Sequence, residues 1–151
     1  MSQQSQLHLG GIYGDLIMDH YRNPRNRRIV EDPDIECYDL NPFCGDDVDI
    51  KMKLDKNGRV SHISIFSNGC SIIQASASIM GENVTGMTLD EIGSLYETFR
   101  LCMTDADLGI DPAIPDSLKA LQTVRRYPVR VKCVMLPWAT IIDGISSGSH
   151  Y

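Results

Sequence analysis

Val48-Asp49-Ile50-Lys51-Met52-Lys53-Leu54, then Asn57-Gly58, then Val60 to Ser67: the reading of this stretch decides the fold. Val48, Ile50, Met52 and Leu54 alternate with Asp49, Lys51 and Lys53, so a strand here buries one face and wets the other. Asn57-Gly58 supplies the residues a tight hairpin demands, and Val60–Ser67 reads as the returning strand. Upstream, Asp34 to Asn41 reads as a further strand just past Pro33. Three consecutive strands with short connections predict an antiparallel meander.

On either side the apolar period becomes helical. Tyr13, Leu16, Ile17, His20 and Tyr21 share one face of a helix over Ile12 to Arg22, which Asn23-Pro24 ends. After Cys70, Ile72, Ile73, Ile79 and Met80 make a stripe, and Ala75 to Ser78 keep the surface small enough for close packing. Thr88-Leu89-Asp90-Glu91 fits a capping box, with Leu89, Ile92, Leu95, Tyr96 and Phe99 behind it. Met103 to Ser117 is rich in Asp and Pro and reads as an ordered loop, followed by a short helix at Leu118 to Arg126. A last helix, opened by Cys133, carries Val134, Trp138, Ile141, Ile142 and Ile145, and weakens at Gly144 and Gly148. Strands first and helices after predict an α+β fold: a small antiparallel three-stranded sheet covered by helices. No repeat and no long linker divides the chain, so 1–151 reads as a single domain with 1–11 a flexible tail.

With 151 residues, 42% of them hydrophobic, the chain can bury a core of its own. A net charge of −6 argues against a nucleic-acid footprint, which needs clustered Lys and Arg. The basic segment Arg22–Arg28 has no interleaved aromatic residue and reads as a solvated loop or a docking surface for an acidic protein. No apolar run approaches the roughly 20 residues of a membrane span. Met1–Gly10 has neither the basic start nor the apolar run of a secretory signal, so a cytoplasmic location with reduced thiols is expected. The five cysteines, Cys37, Cys44, Cys70, Cys102 and Cys133, are odd in number and widely spread, a pattern of metal or thiol chemistry rather than of a disulfide framework.

Cys44 and Asp46 flank Gly45 in the loop that enters the central strand, while Cys70 lies just past the end of the returning one. Strands of a hairpin run in opposite directions, so Cys44, Asp46 and Cys70 fall at the same edge of the sheet. Nothing local places Cys133 in space. Three thiolates and a carboxylate suit tetrahedral Zn²⁺, and thiolate-rich sites equally suit iron–sulfur clusters. Helix starts at Cys70 and Cys133 would lower the thiol pKa values, and Gly45 and Gly69 would let the backbone fold closely round a metal. Cys37 and Cys102 read as small buried hydrophobes. His8, His20, His62 and His150 are scattered and read as surface or core-edge residues.

The words around the cysteines carry more. Asn41-Pro42-Phe43-Cys44-Gly45-Asp46, Gly69-Cys70-Ser71 continuing to Ser78, and Pro128 to Cys133 closely resemble the iron–sulfur scaffold family of IscU, the NifU N-terminal domain and SufU. The opening from Tyr13 through Asp19-His20-Tyr21 to Asn26 is similar too, and the resemblance runs to Ile145. It implies a family domain over 12–147 with a metal site at Cys44, Asp46, Cys70 and Cys133. Lys132 stands where IscU-type members carry a histidine, and Arg126-Tyr127-Pro128-Val129-Arg130 replaces their Leu-Pro-Pro-Val-Lys chaperone stretch. The 103–117 segment and the ending Cys133-Val134-Met135-Leu136-Pro137-Trp138 resemble the SufU branch.

That branch implies a zinc-dependent sulfur acceptor, which takes persulfide sulfur from a SufS-type cysteine desulfurase and passes it to cluster-assembly or apo-acceptor proteins. Cys44 is then the expected acceptor, since it sits in a loop rather than at a helix start. Arg130, one turn before Cys133 if the helix extends backwards, is the expected supporting charge. The rival within the family is a scaffold on which a [2Fe–2S] cluster forms and is handed on. A third reading is a structural zinc domain.

Overall fold

The alternating stretch forms the centre of the sheet. In the computed structural model, which describes residues 11–41, 45–105 and 114–148, the strands are β1 (Ile35–Leu40), β2 (Asp47–Leu54) and β3 (Val60–Asn68), antiparallel in the order β1-β2-β3. Ile50 pairs with Cys37 on one side and with Ile65 on the other, so three buried residues stand in one row of the inner face. Met52, Val48, Ile35 and Ile63 extend that face, and a slip of one residue would turn all of it to water. At the hairpin, Lys56, Asn57 and Gly58 form the loop, with Gly58 in the left-handed region at φ +76°. The Asp55 carboxylate accepts from the amides of Asn57 (2.8 Å) and Arg59 (3.0 Å), and further along the hairpin the register shifts between Lys53 and Leu54.

Five helices are described: α1 (Gly11–Arg22), α2 (Ser71–Val84), α3 (Leu89–Thr104), α4 (Asp116–Gln122), which continues as a 3₁₀ turn over Thr123–Arg126, and α5 (Pro128–Gly148). α2 packs on β3, α5 packs on β1, and the two lie against each other; α1 covers α2, and α3 covers α5. The small face of α2 works as expected. Ser76 is fully buried and its hydroxyl donates to the Val134 carbonyl of α5 at 2.7 Å. Phe99 of α3 meets Trp138 of α5 with ring centroids 5.0 Å apart. The capping box at Thr88 is complete: its hydroxyl accepts from the Glu91 amide at 3.2 Å, and the Glu91 carboxylate accepts from the Thr88 amide at 2.9 Å.

Several expectations need correction. α1 already begins at Gly11, inside the expected tail. The expected 103–117 loop is helical at both ends, because α3 runs through Thr104 and α4 starts at Asp116; residues 106–113 of it lie outside the described residues. The last helix opens at Pro128, not at Cys133, since proline's missing amide costs nothing in a first helical turn. It also runs on through Pro137 and Gly144. Gly144 is no weak point but a close approach: a Cβ there would fall on the Cys37 sulfur and 2.7 Å from the Cys37 Cβ.

His20 is buried rather than superficial, at 2% exposure. Its Nδ1 shares a 2.8 Å hydrogen bond with the Ser78 hydroxyl, and its Nε2 lies 3.4 Å from Glu82. The segment behind it is not merely solvated. Arg25 is tied to Asp19 at 2.6 Å, and the Asn26 carbonyl accepts from the Ile65 amide at 2.9 Å, closing the free edge of β3.

Candidate metal centre

β2 and β3 part at one end of the hairpin, and the site lies there. Asp47 and Asn68 are the last pair, so Asp46 and Gly69 stand side by side beyond it and Cys70 follows. Gly45 takes φ +76°, its amide donates to the Asn41 carbonyl at 2.8 Å, and the Asn41 amide donates to the Asp46 carbonyl at 2.8 Å. These bonds tie Asn41 to the segment that enters β2, in which Asp46 is 8% exposed. Cys70 is the N-cap of α2, and Cys133 is carried in from α5 by the α2–α5 packing.

A carboxylate oxygen of Asp46 and the sulfurs of Cys70 and Cys133 all lie within 4.8 Å of one another. This donor set fits zinc. Zn–S bonds of about 2.3 Å and Zn–O bonds near 2.1 Å place tetrahedral ligand atoms roughly 3.4–3.8 Å apart. Little contraction separates the two geometries.

The electrostatics favour thiolate. A hydrogen bond from the Cys133 thiol holds the Cys70 sulfur down to about 6, against the opposing effect of burial, and the Ile73 and Ile72 amides and the Arg130 charge act in the same direction. Cys133 is pushed the other way, first by the hydrogen bond it gives Cys70, then by burial and the negative charges of Cys70 and Asp46; a hydrogen bond with Arg130 opposes this. The two sulfurs thus hold one proton between them, which is the proton a bound dication displaces.

Of the expected site residues, the structure brings Asp46, Cys70, Cys133 and Arg130 together, while Cys44 lies outside the described residues. The helix-start argument holds for Cys70, the N-cap of α2, whose pKa the nearby amides of Ile73 and Ile72 help to lower. It fails for Cys133, which lies in the second turn of α5 with its pKa raised. Cys37 is a core residue; burial, with Asp49, Asp143 and Glu36 nearby, pushes its thiol up to about 12. Cys102 is likewise buried at the end of α3. Sequence reasoning missed Gln74, whose side-chain amide donates to the Gly69 carbonyl at 3.0 Å. A polar residue in the first turns of a helix gives no signal that it reaches back past the cap.

The profile of the NifU-like N-terminal domain matches residues 12–104. The zinc-dependent sulfurtransferase SufU of Bacillus subtilis is 34% identical over 139 residues, covering 91% of this chain and 92% of that protein. The iron–sulfur cluster assembly scaffold protein IscU of Thermotoga maritima is 28% identical over 139 residues, covering 92% and 96%. Among solved structures, a candidate iron–sulfur cluster assembly scaffold protein for the SUF system of Fervidobacterium islandicum superposes with a TM-score of 0.78 at 25% identity, covering 91% and 96% of the two chains. The N-terminal part of a NifU-like protein of Brucella abortus shares the fold, with a TM-score of 0.79 at 24% identity over 92% and 95%. Among the described residues, no helix is long and apolar enough to cross a membrane.

Proposed function

The chain belongs to the NifU-like N-terminal domain family, and on that premise we propose that it is an iron–sulfur cluster assembly protein that accepts sulfur from a cysteine desulfurase at a zinc site. The observation that carries this reading is the convergence of Asp46, Cys70 and Cys133 from three separate elements, with ligand atoms within 4.8 Å. Cys44, two residues before Asp46 in the chain, completes the set as the fourth donor. Zinc, when bound, supplies the positive charge that keeps the sulfurs deprotonated at neutral pH.

Within this set the protein divides the labour. Cys70 is fixed by its place at the N-cap of α2, and Cys133 by the body of α5, so both stay as ligands. Cys44, which the sequence pattern predicts to lie between strands and not at a helix start, is the acceptor. Its thiolate attacks the outer sulfur of the desulfurase persulfide. A new S–S bond forms on Cys44, the donor's S–S bond breaks, and the donor cysteine leaves as thiolate, so no external oxidant or reductant is consumed. Arg130, which already acts on both Cys70 and Cys133, steadies the negative charge of the incoming persulfide. The reduced thiols that this exchange needs fit a cytoplasmic setting.

A second reading, a scaffold for a [2Fe–2S] cluster, draws on the same donor set, since soft thiolates take cluster iron as readily as zinc. Lys132 in place of the histidine that IscU-type members carry weighs toward the acceptor. The test is metal and acid-labile sulfide content after purification without oxygen, followed by the effect on desulfurase turnover. One tightly bound zinc, no sulfide, and stimulation that Cys44→Ser abolishes is the expected result. Iron with matching sulfide and no stimulation would replace the acceptor with the scaffold.

A further inference from the structure

Of the described members of the site, Asp46, Cys70 and Cys133, Asp46 is the least anchored. Among the described residues, no hydrogen bond holds its carboxylate, so shape alone must place it. The shape is supplied by Gly69, whose φ of +142° is one that L side chains rarely adopt. A Cβ on Gly69 would fall on Oδ1 of Asp46, 2.6 Å from its Cγ, and 2.9 Å from Cγ2 of Ile73. The Gly69 peptide is itself held: the Gln74 side chain donates to its carbonyl at 3.0 Å, and the Gln74 amide donates to the Cys70 carbonyl at 3.3 Å.

We propose that Gly69 is a positioning residue for the metal centre: its bare Cα is the wall against which the Asp46 carboxylate seats beside Cys70 and Cys133, and Gln74 holds that wall in place. The inference rests on Asp46 being a ligand, as set out above. Any side chain at position 69 occupies the volume of the carboxylate and drives it outward, while both thiolates keep their places. The site then loses its oxygen donor without losing its sulfurs.

The experiment is a cycle of Gly69→Ala, Asp46→Ala and the double variant in the full chain, read as Zn²⁺ affinity by competition with a chromophoric chelator. Each single change is expected to weaken zinc binding about 10–100-fold, the range for residues that orient a ligand, and the double variant to bind as Asp46→Ala does. With Co²⁺ in place of zinc, Gly69→Ala should keep the thiolate-to-metal charge-transfer band but shift the d–d bands, as solvent replaces the carboxylate among the ligands. If the two losses multiply in the double variant, Gly69 acts on something other than Asp46 and the inference falls, with the ligand role of Asp46 intact. If Asp46→Ala alone leaves the affinity unchanged, the ligand assignment fails and the inference with it. Should Gly69→Ala not fold, Gln74→Met serves instead. Its smaller loss of zinc affinity must disappear in the Asp46→Ala background, and a loss that persists there overturns the proposal.

Discussion

Replacing His20 by Gln should flatten the acid limb of the stability curve. His20 is 2% exposed; burial first, and then the charge of Arg25, lowers its pKa below the ordinary 6.5, while Glu82 and Asp19 pull the other way. The folded state therefore favours the neutral ring, and the unfolded chain binds a proton that the folded one does not. Where the unfolded state binds more protons, stability rises with pH, so this contribution is complete above 6.5 and is lost as pH falls through 6.5 toward the depressed folded value. The unfolded-state value alone caps the loss between pH 7.5 and 5.5 at about 1.4 kcal/mol. Urea unfolding of wild type and His20→Gln across that range isolates His20 with its neighbours Glu82 and Asp19, because the remaining carboxylates and the metal site are common to both and cancel in the difference. The variant should also lose about 1 kcal/mol at every pH from the missing bond to Ser78, a constant offset. A difference curve that stays level, or that moves in favour of wild type on acidification, would mean that Glu82 and Asp19 match or outweigh burial and Arg25, and the reasoning would be wrong.

Gly144→Ala should destabilise by about 1–3 kcal/mol, the usual range for overpacking, because its Cβ lands on Cys37; thermal or urea unfolding reads it, and Cys37→Gly in the same chain should recover part of the loss. After zinc is removed, iodoacetamide at pH 7 should alkylate Cys70 well ahead of Cys37, as peptide mapping would show; equal rates would remove the electrostatic account of the site.

The fold was legible where local pattern and tertiary demand agree. The alternation of Val48 to Leu54 specifies both strand and buried face, and Thr88 with Glu91 specifies a helix start through bonds made within one turn. What was not legible depends on contacts between distant segments. Pro137 and Gly144 both argue locally for ending α5, yet that helix is embedded between α2, α3 and β1, and its buried Trp138 and Ile141 outweigh the local cost. His20 reads as an edge residue because its partner, Ser78, lies 58 positions away.

The same division explains the site. Antiparallel pairing obliges the start of β2 to lie beside the end of β3, so Asp46 and Cys70 could be placed together from the hairpin alone. Cys133 could not, because its position depends on where α5 begins and on how α5 crosses α2. Starting the helix at Pro128 also changes the chemistry. It moves Cys133 away from the positive end of the helix and puts Arg130, three residues earlier, on the same face. The charge that favours thiolate at the α5 side of the site therefore comes from a side chain, whereas at the α2 side it comes from backbone amides as well. A side-chain charge can be removed by one substitution and the amides cannot, which makes Arg130 the point at which the two halves of the site can be separated by experiment.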